Sequence, residues 1–127
     1  MKILVSGSRE MPENQKSRNM ILAQIMECLV GKDDLYPQDV TIITGGAKGA
    51  DTVAHDLAVD YGMKTIVHYA EWNRFGKSAG PIRNGRMLDE EPDVVIAFPI
   101  GKSVGTRHCI KEAERRGIRT ITIPVSV

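Results

Sequence analysis

Short apolar runs alternate with helical patterns along this chain. Five runs rich in β-branched residues predict strands at residues 2–6, 40–44, 64–69, 93–98 and 119–123. Between them, apolar residues recur at helical spacing in segments 14–30, 51–61 and 106–116, and a further short helix is predicted at 80–88. Continuous apolar strands are typical of sheets covered on both faces. The sequence therefore predicts one α/β domain over residues 1–127, with a Rossmann-like, doubly wound, mostly parallel five-stranded sheet and helices on both faces.

Segment 70–80 shows neither a continuous apolar run nor helical spacing, and it is predicted to be irregular. The third helix is expected to begin at Gly80-Pro81, because proline is well tolerated at the first helical position. Thr106 is expected to cap the fourth helix.

Two glycine-rich loops, 45–51 and 99–106, each follow a predicted strand and open a predicted helix. Such a turn leaves free backbone N–H groups at the positive end of the helix dipole, where an anion is stabilised. In a doubly wound sheet these loops and segment 7–9 would meet beyond the carboxyl ends of the strands. The first loop is neither a P-loop nor a dinucleotide fingerprint. The sequence therefore predicts one cleft for a phosphate-bearing, nucleotide-like ligand.

Glycines that let the backbone approach a phosphate, cations that neutralise it and an aromatic ring that stacks on a base all occur in these segments. The predicted binding residues are Gly7, Ser8, Arg9, Gly45, Gly46, Lys48, Gly49, Asp51, Trp72, Lys77, Arg83, Asn84, Gly101, Gly105 and Thr106. Simpler interpretations stay open for some: Asp51 could complement a helix dipole, Trp72 could fill space above the sheet, and His108 is expected to be a surface residue.

Composition excludes several classes. The chain carries 17 basic and 16 acidic residues, a net charge of +1, so no global field attracts nucleic acid or a membrane. Its apolar runs are too short for a signal peptide or a membrane span, which favours a cytoplasmic location. Cys28 and Cys109 are too few and too isolated for a disulfide framework or a zinc site, so no metal and no resident cofactor is predicted.

Several motifs together resemble a known family. They are Gly7-Ser8-Arg9, segment 45–54, Trp72 with segment 76–84, and Ala97-Phe98-Pro99 with Gly105-Thr106. In this order they are similar to the YspA/YpsA-like branch of the SLOG superfamily, which also holds DprA-type DNA-processing proteins and the Lonely-guy phosphoribohydrolases. The resemblance implies a Rossmann-like sheet and a pocket for a nucleotide-derived ligand. The sequence leaves the oligomeric state open, and the resemblance suggests a dimer or higher homo-oligomer.

The resemblance also bears on catalysis. Arg83 with Met87 is similar to the phosphoribohydrolase motif R-K-x-x-M, and segment 99–106 is similar to P-G-G-x-G-T-x-x-E. Cys109 stands where that motif has its glutamate, and a thiol cannot stabilise positive charge on a ribosyl carbon as a carboxylate does. The catalytic residues are therefore unknown, with Arg83, Asp51 and Glu71 as candidates, and Asp93 is a further carboxylate that could replace the missing glutamate.

Three functions compete. The leading expectation is binding of a nucleotide or a nucleotide-derived ligand, similar to ADP-ribose or NAD, at the carboxyl edge of the sheet. The alternative is an N-glycosidase or phosphoribohydrolase acting on a nucleoside monophosphate or an NAD-like substrate. The third is a DprA-like DNA-handling module, which the near-zero net charge disfavours. The expected partner is thus a small molecule, with neither a membrane nor nucleic acid.

Overall fold

The fold is built on a parallel sheet of five strands. A computed structural model describes residues 1–126. The strands are β1 (Lys2–Gly7), β2 (Thr41–Thr44), β3 (Lys64–Val67), β4 (Val94–Phe98) and β5 (Thr120–Thr122). They lie in the order β3-β2-β1-β4-β5, and every neighbouring pair is parallel. The predicted sheet is therefore confirmed, and within the described residues it is parallel throughout.

Helices cover both faces of this sheet. They are α1 (Gln15–Leu29), α2 (Ala50–Asp60), α3 (Trp72–Phe75), α4 (Ala79–Leu88) and α5 (Val104–Arg115), with 3-10 turns at Pro37–Asp39 and Gly76–Ser78. Helices α1 and α2 pack on one face and α4 and α5 on the other. Among residues 1–126, no helix combines the length and the apolar character that crossing a membrane requires.

Strand β1 shows why the apolar runs are continuous. Ile3 and Val5 point into the core under α1 and α2, whereas Leu4 points into the core under α4 and α5, and all three are fully buried. Because successive side chains of a strand point to opposite faces, a strand covered on both sides needs apolar residues at every position.

Two local predictions were wrong. The segment expected to be irregular forms α3, a 3-10 turn and the first two residues of α4, which begins at Ala79. These single turns are too short to show a helical period in sequence. Helix α5 begins at Val104 with Ser103 as its N-cap in a left-handed conformation, so Thr106 lies inside the first turn and does not cap it.

The strand order fixes where a ligand could bind. Strands β1 and β4 are neighbours, and the helices that follow them, α1 and α5, lie on opposite faces. A crevice therefore opens between the carboxyl ends of β1 and β4, the place where doubly wound sheets bind ligands.

Candidate functional site

A cleft of about 700 Å³ lies at that crevice. Its walls come from the loop after β1, the start of α2, the segment from α3 to α4, and the loop after β4 with the first turns of α5. Of the residues predicted from the sequence, those lining it are Gly7, Ser8, Arg9, Asp51, Trp72, Lys77, Arg83, Asn84, Gly101, Gly105 and Thr106. The three loops that were expected to converge thus do meet at one site.

The amino end of α5 forms one end of the cleft. Arg107 is the first residue of this helix whose N–H reaches a backbone acceptor, the carbonyl of Ser103 at 3.0 Å. The N–H groups of Val104, Gly105 and Thr106 bond to no acceptor among residues 1–126, and all three residues line the cleft. Three amide donors at the positive end of a helix dipole are therefore available to an anion.

The side chain of Arg107 holds the loop before α5. Its Nη2 donates to the carbonyl of Gly101 at 2.8 Å and its Nε donates to that of Lys102 at 3.0 Å. Ser103 Oγ donates to Thr106 Oγ1 at 3.1 Å across the first turn. The loop is thereby fastened by side chains of its own helix, which keeps its amides oriented without a ligand.

The first glycine loop differs from expectation, because other parts of the chain use its amides. The N–H of Gly49 donates to the carboxylate of Glu13 at 2.9 Å, and the N–H of Ala50 donates to the carbonyl of Ser8 at 3.2 Å. The prediction that these N–H groups would be free is therefore wrong. An internal carboxylate already occupies the anion position at the start of α2.

Asp51 is a buried acid at the wall of the cleft, with 6% of its surface exposed. Burial raises the pKa of its carboxyl group from 3.8 to about 6, against the opposing effects of the Ala47 N–H and the charge of Arg83. The Ala47 N–H donates to Asp51 Oδ2 at 3.2 Å. Asp51 thus shapes the first glycine loop as well as lining the cleft.

This raised pKa predicts a pH dependence of stability. The folded state holds the Asp51 proton more tightly than the unfolded chain does, so the stabilisation is complete below about pH 3.8 and is lost as pH rises through about 6. A shift from 3.8 to about 6 corresponds to about 3 kcal/mol. Denaturant unfolding at pH 4 and pH 7 should show this loss in the wild type and not in Asp51→Asn. Equal pH profiles for the two proteins would contradict the assignment.

Arg83 and Asn84 connect the two glycine loops. Arg83 Nη1 donates to the carbonyl of Gly45 at 2.8 Å, and Arg83 Nε donates to Asn84 Oδ1 at 3.0 Å. Asn84 Nδ2 lies 3.0 Å from the carbonyl of Gly105, to which it donates, and 3.1 Å from His108 Nδ1. Two adjacent side chains of α4 thereby bridge the loop after β2 to the first turns of α5.

Three predicted residues, Gly45, Gly46 and Lys48, line a neighbouring hollow of about 330 Å³, here called the side chamber. Tyr69 and Trp72 also line it. The remaining predicted residue, Gly49, is the N-cap of α2 and lines neither cavity.

Two carboxylates weighed as catalytic candidates lie outside the cleft. Glu71 is exposed and accepts a hydrogen bond from Arg86 at 2.7 Å, which lowers the pKa of Glu71. Asp93 accepts the backbone N–H of Lys2 at 2.8 Å, near the amino ends of the strands. The structure therefore does not bring Glu71 to the site, and Asp93 is too remote to replace it.

Cys109, which stands where the phosphoribohydrolase motif has its glutamate, is fully buried in the core between the sheet and helices α4 and α5. Burial raises the pKa of its thiol to about 11, so it is a neutral thiol at pH 7. It has no access to a ligand in the cleft.

Two residues at or beside the candidate site were not predicted to belong to it. Glu13 reaches the first glycine loop from the segment before α1, 36 residues away along the chain. His108 was expected at the surface, yet it lines the cleft beside Asn84. His108 lies two residues after the Gly105-Thr106 motif of the resemblance, and this closeness was the available sequence signal. No sequence signal indicated the contact of Glu13.

The architecture is that of a Rossmann-like α/β domain whose cleft lies between the carboxyl ends of β1 and β4. The chain belongs to the YspA, cpYpsA-related SLOG family, whose model matches residues 1–75. It is 35% identical to the Gene 61 protein of Mycobacterium phage D29, over 94% of each chain. The resemblance seen in the motifs is thus confirmed.

A solved structure shares the fold. DNA processing protein A (DprA) from Streptococcus pneumoniae superimposes with a TM-score of 0.72 at 23% identity, over 99% of this chain and 51% of that one. The chain therefore spans about half the length of that protein, and the likeness concerns the fold.

Proposed function

We propose that the cleft binds a nucleotide or a nucleotide-derived ligand, with a phosphate at the amino end of α5. One observation carries the proposal. Val104, Gly105 and Thr106 line the cleft, and their N–H groups have no acceptor among residues 1–126. Phosphate oxygens are the acceptors that such a helix end stabilises best.

The charges around the cleft support this assignment. Arg9, Lys77 and Lys102 line it, and none of them forms an ion pair with a carboxylate of the described chain. With Arg83, four basic residues line the cleft against two acidic ones, Glu10 and Asp51, so its basic residues outnumber its acidic ones although the whole chain carries only +1. Trp72, which is 47% exposed and lines the same cleft, offers a ring on which a base can stack.

Cleavage of the ligand is a second candidate, because Asp51 brings an acid of pKa about 6 to the wall of the cleft. Such a group could serve an N-glycosidase or phosphoribohydrolase as general acid or base near neutral pH. Incubation with AMP and NAD followed by chromatography would show released base, and Asp51→Asn would abolish it. If the ligand is still intact after long incubation, the protein binds it without hydrolysing it.

Calorimetry with AMP, ADP-ribose, NAD and cyclic nucleotides tests binding directly. Saturable binding of at least one of them is expected, as is a nucleotide carried through purification and detected by mass spectrometry. No binding of any of them at millimolar concentration would overturn the proposal. Retardation of DNA in a low-salt gel shift would point instead to nucleic acid, which the net charge disfavours.

The variant Gly105→Asp tests the effect on ligand binding separately from the effect on folding. The Cβ of Gly105→Asp would meet open space, and an acidic side chain in the first turn of a helix stabilises that helix. The same charge would repel a phosphate. We expect the AMP affinity to fall more than about tenfold with no loss of melting temperature, a change above 1.4 kcal/mol in binding. Gly105→Ala is the control and should bind AMP within a few-fold of wild type. Unchanged AMP affinity in Gly105→Asp would place the phosphate elsewhere.

A further inference from the structure

The side chamber adjoins the cleft and shares walls with it. Arg9, Ala47, Trp72 and Arg83 line both cavities. Between the two, the guanidinium of Arg9 lies over the ring of Trp72, with its carbon 5.3 Å from the ring centroid. A ligand that passes this stacked pair would therefore occupy both cavities.

The walls of the side chamber have a definite chemistry. Its charged residues are Arg9, Lys48 and Arg83, and no carboxylate among residues 1–126 lines it. The side chains of Arg9 and Lys48 have no ion-pair or hydrogen-bond partner in the described part of the chain. Cations without a partner are suited to a phosphate.

Tyr69 gives this chamber a flat wall. Its ring lies against Gly46, where a Cβ would collide with the ring and would lie 2.9 Å from Val67 Cγ1. Gly46 also has a φ of +68°, which an L side chain rarely adopts. The glycine therefore lets the ring approach the loop, while 68% of Tyr69 stays exposed for contact with a ligand. With Trp72 nearby, the chamber presents two aromatic side chains to a nucleobase.

We propose that the side chamber binds the second half of the ligand, so that the ligand is a dinucleotide linked through phosphates. This inference rests on the proposed function, which places the first phosphate at the amino end of α5. The second base stacks against Tyr69, and Lys48 contacts the linking phosphate. A mononucleotide held at α5 would leave Lys48 and Tyr69 without a role.

The test compares AMP with diadenosine diphosphate by calorimetry. Diadenosine diphosphate is expected to bind at least about tenfold more tightly than AMP to the wild type, since it adds a charge-assisted contact and a stacked base. Lys48→Met and Tyr69→Ser should each remove about tenfold of its affinity and change that of AMP less than about twofold. Both side chains are exposed, so the fold should tolerate these changes.

Matched surface controls are available. Lys16 lies exposed on α1, and Tyr36 is 60% exposed, and neither lines the cleft or the side chamber. Lys16→Met and Tyr36→Ser should bind both ligands as wild type does. Equal affinity of the wild type for AMP and diadenosine diphosphate would overturn the side-chamber assignment, as would equal losses for both ligands in Lys48→Met, and the proposed function would stand. If neither ligand binds at millimolar concentration, the side-chamber assignment fails, and the proposed function fails with it only if ADP-ribose, NAD and cyclic nucleotides do not bind either.

Discussion

Substituting alanine for Gly49 is expected to lower the free energy of unfolding by at least about 3 kcal/mol. Gly49 has φ +80° and ψ −129°, a backbone conformation almost restricted to glycine. An added Cβ would collide with the carbonyl oxygen of Ser8 and would lie 2.8 Å from that of Arg9. Because these atoms belong to the backbone after β1, the loop itself would have to move.

Gly62→Ala is the matched control. Gly62 follows α2 with a similar φ of +74°, but nothing lies within 4 Å of its added Cβ. It should lose only about 1 kcal/mol, the cost of the left-handed conformation alone. Denaturant unfolding of both variants measures the difference. Similar losses for the two would show that the contact with the loop after β1 contributes nothing.

Replacing Arg83 by methionine is expected to destabilise the fold by about 3 kcal/mol and to weaken nucleotide binding. The substitution leaves the carbonyl of Gly45 and the side chain of Asn84 without their donor. It also removes the positive charge that lowers the pKa of buried Asp51. The pKa of Asp51 should therefore rise further, which can be followed by NMR titration of its carboxyl carbon.

Arg86→Met offers a control on the same helix. Arg86 is 44% exposed on its side chain and pairs with the exposed carboxylate of Glu71 at 2.7 Å. Exposed pairs of this kind contribute little, so stability should be almost unchanged. If Arg83→Met unfolds at the same denaturant concentration as Arg86→Met, the bridge between the two loops is not important for stability.

The sheet and its helices could be predicted because their signals are local and periodic. Apolar runs covered on both faces and amphipathic helical spacing both appear in the sequence, and α2 is an example, with Val53, Ala54 and Leu57 buried along one stripe. The order of the strands then determined which loops would meet. Segment 72–78 could not be predicted this way, because its single turns, such as the one closed by the hydrogen bond from the Phe75 N–H to the Glu71 carbonyl, are too short to show a helical period.

The site was predictable in its location and less so in its hydrogen bonding. Glycine-rich loops indicate where amides could face a ligand, but they do not show which amides the protein uses for itself. The Gly49 N–H bonds to Glu13, whereas the Gly105 N–H has no acceptor among residues 1–126. That difference depends on a contact between distant parts of the chain, which no local pattern records.

The outermost strands of the sheet are short, with four residues in β3 and three in β5. A short edge strand presents few unpaired amide and carbonyl groups with which a strand of another chain could pair. We therefore expect aggregation by edge-to-edge growth of the sheet to be disfavoured, and any self-assembly of this protein to use its helices or loops.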